Sequence, residues 1–148
     1  MSLQQRLDED LKAALKGGDK QRTSVIRMLR GELTNARIEL GHAPSDAEAL
    51  EVLSRYARKR RDAAAEYAKG GRQDLVDKEM AEAEITQGYL PSALGADALG
   101  ELVGAVIAEL GASGMKDMGR VIKEVLQRAA GRADGAAVSA LVKTRLSS

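Results

Sequence analysis

Residues 45–71 read SDAEALEVLSRYARKRRDAAAEYAKGG, a segment that carries its own start and stop signals. Ser45 with Glu48 fits a capping box, in which the hydroxyl takes one free backbone N–H and the carboxylate takes another. Gly70-Gly71 supplies the stop, because glycine tolerates the left-handed backbone that follows a helix end. Between them, Leu50, Leu53, Ala57, Ala64 and Tyr67 recur as an apolar seam at helical spacing. The spacing predicts one long helix to about Lys69. The seam also passes through Arg60, so that side chain either snorkels its head to solvent or meets a buried acid.

Punctuation of the same kind covers nearly the whole chain. Ser2 with Gln5 fits another capping box, and Leu3, Leu7, Leu11, Ala14 and Leu15 line one face of a first helix ended by Gly17-Gly18. Asp19 can cap a second helix carrying Val25, Ile26, Leu29, Leu33 and Leu40, and Gly41 stops it. His42, Ala43 and Pro44 form a loop. Beyond Gly71, a fourth helix carries Leu75, Val76, Met80 and Ala83 on one face and runs to about Gly88. Tyr89-Leu90-Pro91-Ser92 reads as a boundary, since proline disfavours helical geometry in the residue before it. Three shorter helices follow at about 97–110, 115–130 and 135–147, with Ser113 and Asp134 as N-caps and Gly131 closing the middle one. Strand-like runs of β-branched residues are absent. The expectation is an all-α protein. Residues 1–91 form an N-terminal bundle of long antiparallel helices, 92–96 a linker, and 97–148 a small C-terminal three-helix domain.

Composition narrows the chemistry. The 148 residues include no cysteine, tryptophan or phenylalanine, one histidine and three tyrosines. Without cysteine there is no disulfide framework, thiolate nucleophile or sulfur-based metal site. One histidine excludes the usual multi-histidine metal site and most histidine-based triads. So few aromatics disfavour a stacking platform for single-stranded nucleic acid. No apolar run is long enough to span a membrane, and the amphipathic, acid-bearing N-terminus is unlike a signal peptide. The chain is therefore expected to be soluble and cytoplasmic, with no cofactor and no metal.

His42 sits in a polar loop with no partner constellation and reads as exposed. Gly17-Gly18-Asp19-Lys20 lacks the spacing and preceding strand of a phosphate loop. Gly111-Ala112-Ser113-Gly114 is no nucleophile elbow, for the same reasons. Arg58-Lys59-Arg60-Arg61, extended by Arg55, puts positive charge on every side of one helical turn. It reads either as a solvated face paired with Glu51, Asp62 and Glu66 or as a cluster for anion or RNA contact. In the helix from Met115, Met118, Val121, Ile122, Val125, Leu126 and Ala129 form a buried stripe. Lys116, Arg120 and Lys123 lie on the opposite face, followed by Arg128 and Arg132, with Lys143 and Arg145 on the last helix. Such a face could lie along phosphates. Charge must act locally: residues 1–91 hold 16 basic and 16 acidic side chains, and residues 92–148 hold 7 and 6.

Several motifs in order resemble the GatB/YqeY family. They are Asp19-Lys20-Gln21-Arg22 with Val25-Ile26-Arg27-Met28-Leu29, then Arg58-Lys59-Arg60 with Tyr67, then Gly71-Arg72-Gln73-Asp74-Leu75-Val76-Asp77-Lys78-Glu79. Tyr89-Leu90-Pro91, Met118-Gly119-Arg120-Val121 and Gly131-Arg132-Ala133-Asp134-Gly135 with Leu141-Val142 complete the set. The resemblance implies a stand-alone YqeY-like protein, related to the tail of the GatB subunit of glutamine-dependent tRNA amidotransferases. In that enzyme the tail contacts tRNA, and the kinase and amide-transfer chemistry lies in domains absent from this chain. Gln127, Ala130, Ala63 and Tyr67 depart from the common family residues.

The resulting expectation is a non-catalytic, tRNA-associated accessory module in translation. Lys116, Arg120, Lys123, Arg128, Arg132, Lys143 and Arg145 would contact phosphates, and Gly119, Gly131, Asp134 and Gly135 would shape the backbone. The alternative is an adaptor that docks on a tRNA synthetase, amidotransferase or ribosome-linked partner through Arg55, Arg58, Lys59, Arg60 and Arg61. A carbon–nitrogen ligase using glutamine as amido-N-donor would need a nucleophile and an ATP site that the sequence does not display.

Overall fold

The computed structural model describes residues 1–147, and among them the structure is entirely helical. The helices are α1 (Leu3–Lys16), α2 (Lys20–Leu40), α3 (Asp46–Lys69), α4 (Gln73–Gln87), α5 (Ala96–Leu110), α6 (Met118–Ala129) and α7 (Gly135–Leu146). A single 3₁₀ turn, Met115–Asp117, precedes α6. The chain divides into two compact units, Met1–Leu90 and a second that begins at Pro91.

Local chemistry sets most of the boundaries. Both capping boxes form: the Gln5 N–H donates to Ser2 Oγ at 3.2 Å and the Glu48 N–H to Ser45 Oγ at 3.1 Å. Asp19 caps α2 by accepting from the Arg22 N–H at 3.0 Å, and Asp134 caps α7 by accepting from the Ala137 N–H at 3.3 Å. Gly41 ends α2 in the left-handed region, at φ 77°. The middle helix of the second unit differs from expectation. It starts at Met118, because the Asp117 carboxylate turns back to accept the Ser113 N–H at 3.0 Å and winds residues 115–117 into the tighter turn. Ser113 is therefore a donor to this turn through its backbone, and its side chain caps nothing. The end of α6 falls on Ala130, left-handed at φ 48°, one residue before Gly131 at φ 83°.

Each unit has its own core. In the first, Leu7, Val25, Ile26, Leu29 and Leu53 are all but sealed from solvent, with Tyr56 and Tyr89 packed among them. Burial of each large aliphatic side chain contributes roughly 1.5–3 kcal/mol. In the second, Val103, Val106, Val121, Val125, Val138 and Val142 meet at its centre.

Four side chains expected on buried faces are exposed: Leu15, Leu40, Tyr67 and Met80. Helical drift explains Leu15. Each four-residue step advances about 40° round the axis, so Leu15 stands about 80° from Leu7. On α4 the inward line runs through Leu75, Glu79, Ala83 and Thr86, which turns Met80 outward and an acid inward.

Candidate functional site

The inward acid is the partner that Arg60 requires. Arg60 Nη1 stands 3.3 Å from Glu79 Oε2, with the two side chains only 28% and 12% exposed. The guanidinium also lies over the Tyr56 ring, 5.1 Å from its centroid. Arg60 Nε and Glu79 Oε2 are buried without a hydrogen bond, so the contact is an ion pair of charge and packing. Burial, then the charge of Glu82, pushes the Tyr56 phenol above its ordinary value, against the opposing pull of Arg60. The basic run thus loses one of its four members to the interior. Arg58 pairs with Asp62 at 3.8 Å, and Arg61 reaches Gln87 at 3.4 Å. Arg55 and Lys59 remain exposed and make no ion pair among the described residues. They border a shallow hollow of about 140 Å³ whose other lining residues include Glu32, Val52 and Tyr56.

In the second unit the arginines and lysines separate into two groups. Arg120 Nη2 donates to Asp117 Oδ1 at 3.1 Å and to the Leu110 carbonyl at 3.3 Å, tying the turn before α6 to the end of α5. The Ser113 N–H, ahead of the Arg120 charge, holds the Asp117 carboxyl below the usual range. Arg128 bridges α5 and α6, with Nη2 on Glu109 Oε2 at 2.5 Å and Nε on Glu124 Oε1 at 2.9 Å. Its hydrogen bond keeps Glu109 below the ordinary carboxylate value. Arg132 Nε donates to the Ser92 carbonyl at 2.9 Å, while its own carbonyl accepts from the Leu94 N–H at 2.7 Å, so this residue fastens residues 92–94. Arg145 lies along α5, its Nη2 just 3.1 Å from where a Cβ at Gly100 would stand and its Nη1 3.4 Å from that at Gly104. By contrast, Lys116, Lys123 and Lys143 are exposed and make no ion pair among the described residues.

Of the backbone positions, Asp134 caps α7, and Gly131 takes the left-handed turn that precedes it. Gly119 and Gly135 have open space where a Cβ would be, so neither is required by a close approach inside the protein. His42 is exposed, with Nδ1 2.9 Å from the Ala43 carbonyl oxygen. Sequence reasoning missed Glu79, although its four-residue spacing from Leu75 and Ala83 marks it as inward. It also missed the seat that Gly100 and Gly104 make for Arg145, which their spacing could have signalled.

The family model described as Yqey-like protein matches residues 4–146. The chain belongs to the YqeY-like family. Several relatives are named "Altered inheritance of mitochondria protein 41, mitochondrial". The one from Pyrenophora tritici-repentis is 28% identical over 131 residues, covering 86% of this YqeY-like chain and 71% of the relative. That from Eremothecium gossypii is 34% identical over 85 residues, covering 57% and 46%. That from Lachancea thermotolerans is 35% identical over 85 residues, with the same coverage. The chain thus spans about half the length of the latter two relatives.

These names overturn the expected cytoplasmic location, since they point to mitochondria. The physical reason is plain. The lack of an apolar spanning run excludes only a crossing helix of that kind and carries no information about compartment. Among the described residues no single helix is long and apolar enough to cross a membrane.

Proposed function

We propose that this YqeY-like chain is a non-catalytic, tRNA-associated accessory module that contacts phosphates through its second unit. The observation that carries the reading is the trio Lys116, Lys123 and Lys143, exposed and without ion pairs among the described residues. Ammonium groups in that state can meet phosphates without first breaking an internal bond. Arg120, Arg128, Arg132 and Arg145 add charge from fixed positions, because a guanidinium has five donors and keeps some after each internal contact. Gly119, exposed with nothing packed over it, offers backbone to an approaching phosphate. In the same reading, residues 1–91 act as an antiparallel helical bundle, residues 97–148 as a three-helix domain and residues 92–96 as the link. Family membership supports this, as does the resemblance to the tail of an amidotransferase subunit.

Titration with total tRNA at two salt concentrations tests the proposal. The three lysine contacts alone contribute about −2 to −3 to the slope of log affinity on log salt, and each arginine contact steepens it further. Changing Lys116, Lys123 and Lys143 together to alanine should remove that share of the slope. No binding at low salt would sink the reading, and glutaminase activity in the purified chain would sink its non-catalytic part.

A second reading, an adaptor for a tRNA synthetase, amidotransferase or ribosome-linked partner, is favoured by Arg55 and Lys59 at the rim of their hollow. A pull-down that survives nuclease and is lost on Lys59→Glu would support it. Arg60→Glu is unsuitable as a test, since it would place two acids together inside the first unit.

A further inference from the structure

The outward face of α2 carries features that nothing inside the first unit explains. Gly31 sits in the middle of this 21-residue helix, is exposed, and has no atom within 4 Å of where its Cβ would be. Glycine inside a helix is costly relative to alanine, and a cost with no internal return points to something that approaches from outside. At about 100° per residue, Lys20, Ser24, Arg27, Gly31 and Ile38 share one narrow line opposite the buried Ile26, Leu29 and Leu33. Ile38 is 74% exposed at one end of that line. Towards the other end, Leu15 and Met28, 52% and 51% exposed, border a hollow of about 510 Å³ between α1 and α2.

Charge then decides the occupant. Lys20 and Arg27 line the hollow and make no ion pair among the described residues. Asp19, the acid in its lining, is committed to capping α2 and stands 3.6 Å from Arg22. The surface is thus positive along its line, with Lys20 and Arg27 at the rim of the hollow, apolar beside and beyond them at Leu15, Met28 and Ile38, and relieved at Gly31 so that another backbone can come close. We infer that this face docks an acidic amphipathic helix of a protein partner, its apolar side chains on Leu15, Met28 and Ile38 and its carboxylates on Lys20 and Arg27. RNA would meet the cations but gain nothing from the exposed aliphatic groups. A second copy related by a two-fold axis would set like charges at the rim against each other. The inference is independent of the RNA reading, since every residue it uses lies in the first unit.

The test uses the full chain and a capped synthetic peptide of about four helical turns, with leucine on one face and glutamate on the others. A lysine-for-glutamate version and an RNA hairpin serve as controls. Expected on adding the glutamate peptide are amide chemical-shift changes centred on Leu15, Ser24, Gly31 and Ile38, absent with the lysine peptide. Gly31→Leu should raise thermal stability, as a better helix former, yet weaken peptide binding roughly tenfold or more. Arg27→Glu should weaken binding with helicity unchanged. No shifts with the glutamate peptide, equal binding of the lysine peptide, or unaltered affinity in Gly31→Leu would each overturn the inference. So would an RNA hairpin that perturbs these amides where the peptide does not, or self-association through this face without peptide binding.

Discussion

Tyr89 illustrates how a single side chain ties the end of the first unit to its beginning. Its hydroxyl donates to Asp10 Oδ2 at 2.5 Å, and the Arg6 guanidinium covers its ring at 4.6 Å while reaching the Gly88 carbonyl at 3.0 Å. Burial, then the bond to Asp10, raises its phenol well above the ordinary 10.0. The folded state therefore holds this proton more tightly than the unfolded chain does. The associated stability is complete below pH about 10 and is lost as pH climbs towards the folded value. The contribution of Tyr89 to melting temperature should accordingly be independent of pH below that value and fall above it. Tyr89→Phe should be less stable at neutral pH by about 1–2 kcal/mol, with a shallower alkaline decline. Glu79→Ala makes a sharper case: it leaves the largely buried Arg60 guanidinium without its ion-pair partner and should cost about 3 kcal/mol by chemical denaturation, whereas changing both residues to methionine should cost much less. From the sequence, Arg60 was legible as a residue on the seam, with an acid as one of two outcomes. Which acid was not legible, because the choice depends on how α4 is rotated against α3.

At the scale of helices, legibility followed chemistry that acts over three or four residues. Ser2, Asp19, Ser45 and Asp134 announce helix starts because each needs only its own neighbours. The start of α6 was misread because the Asp117 side chain serves the turn behind it, a choice fixed in part by Arg120 and the end of α5. The exposure of Leu15, Leu40 and Met80 was likewise hidden, since apolar character alone does not tell the edge of a face from its centre. Ala130 offers a direct check on helix endings. An alanine at φ 48° bears a steric cost that glycine avoids. Ala130→Gly should therefore stabilise the second unit by about 0.5–1 kcal/mol, the strain relieved outweighing the greater freedom of the unfolded chain, and calorimetry would register it.

For the molecule as a whole, the helical class was open to reading because pattern, caps and punctuation agree throughout. The candidate interface was only half legible: seven basic residues could be counted, but not the division between bonded arginines and unpaired lysines, which depends on side chains distant in sequence. Compartment was not legible at all. Stability at this scale rests on the two cores. Leu53→Ala, a deletion at a fully buried position in the first of them, should cost about 2–5 kcal/mol in a denaturant titration and speed amide exchange in α1, α2 and α3.

Arg145 and the two glycines of α5 have an implication for how this sequence can change over time. The three positions share one space: a methyl group at Gly100 would stand 3.1 Å from the guanidinium, which must give by a few tenths of an ångström to admit it, while a short residue at position 145 uncovers the two glycines. Drift at these sites should therefore be paired. Gly100→Ala combined with Arg145→Ala should be tolerated better than the sum of the separate changes, making this corner of the second unit a place where the history of one residue constrains the future of another.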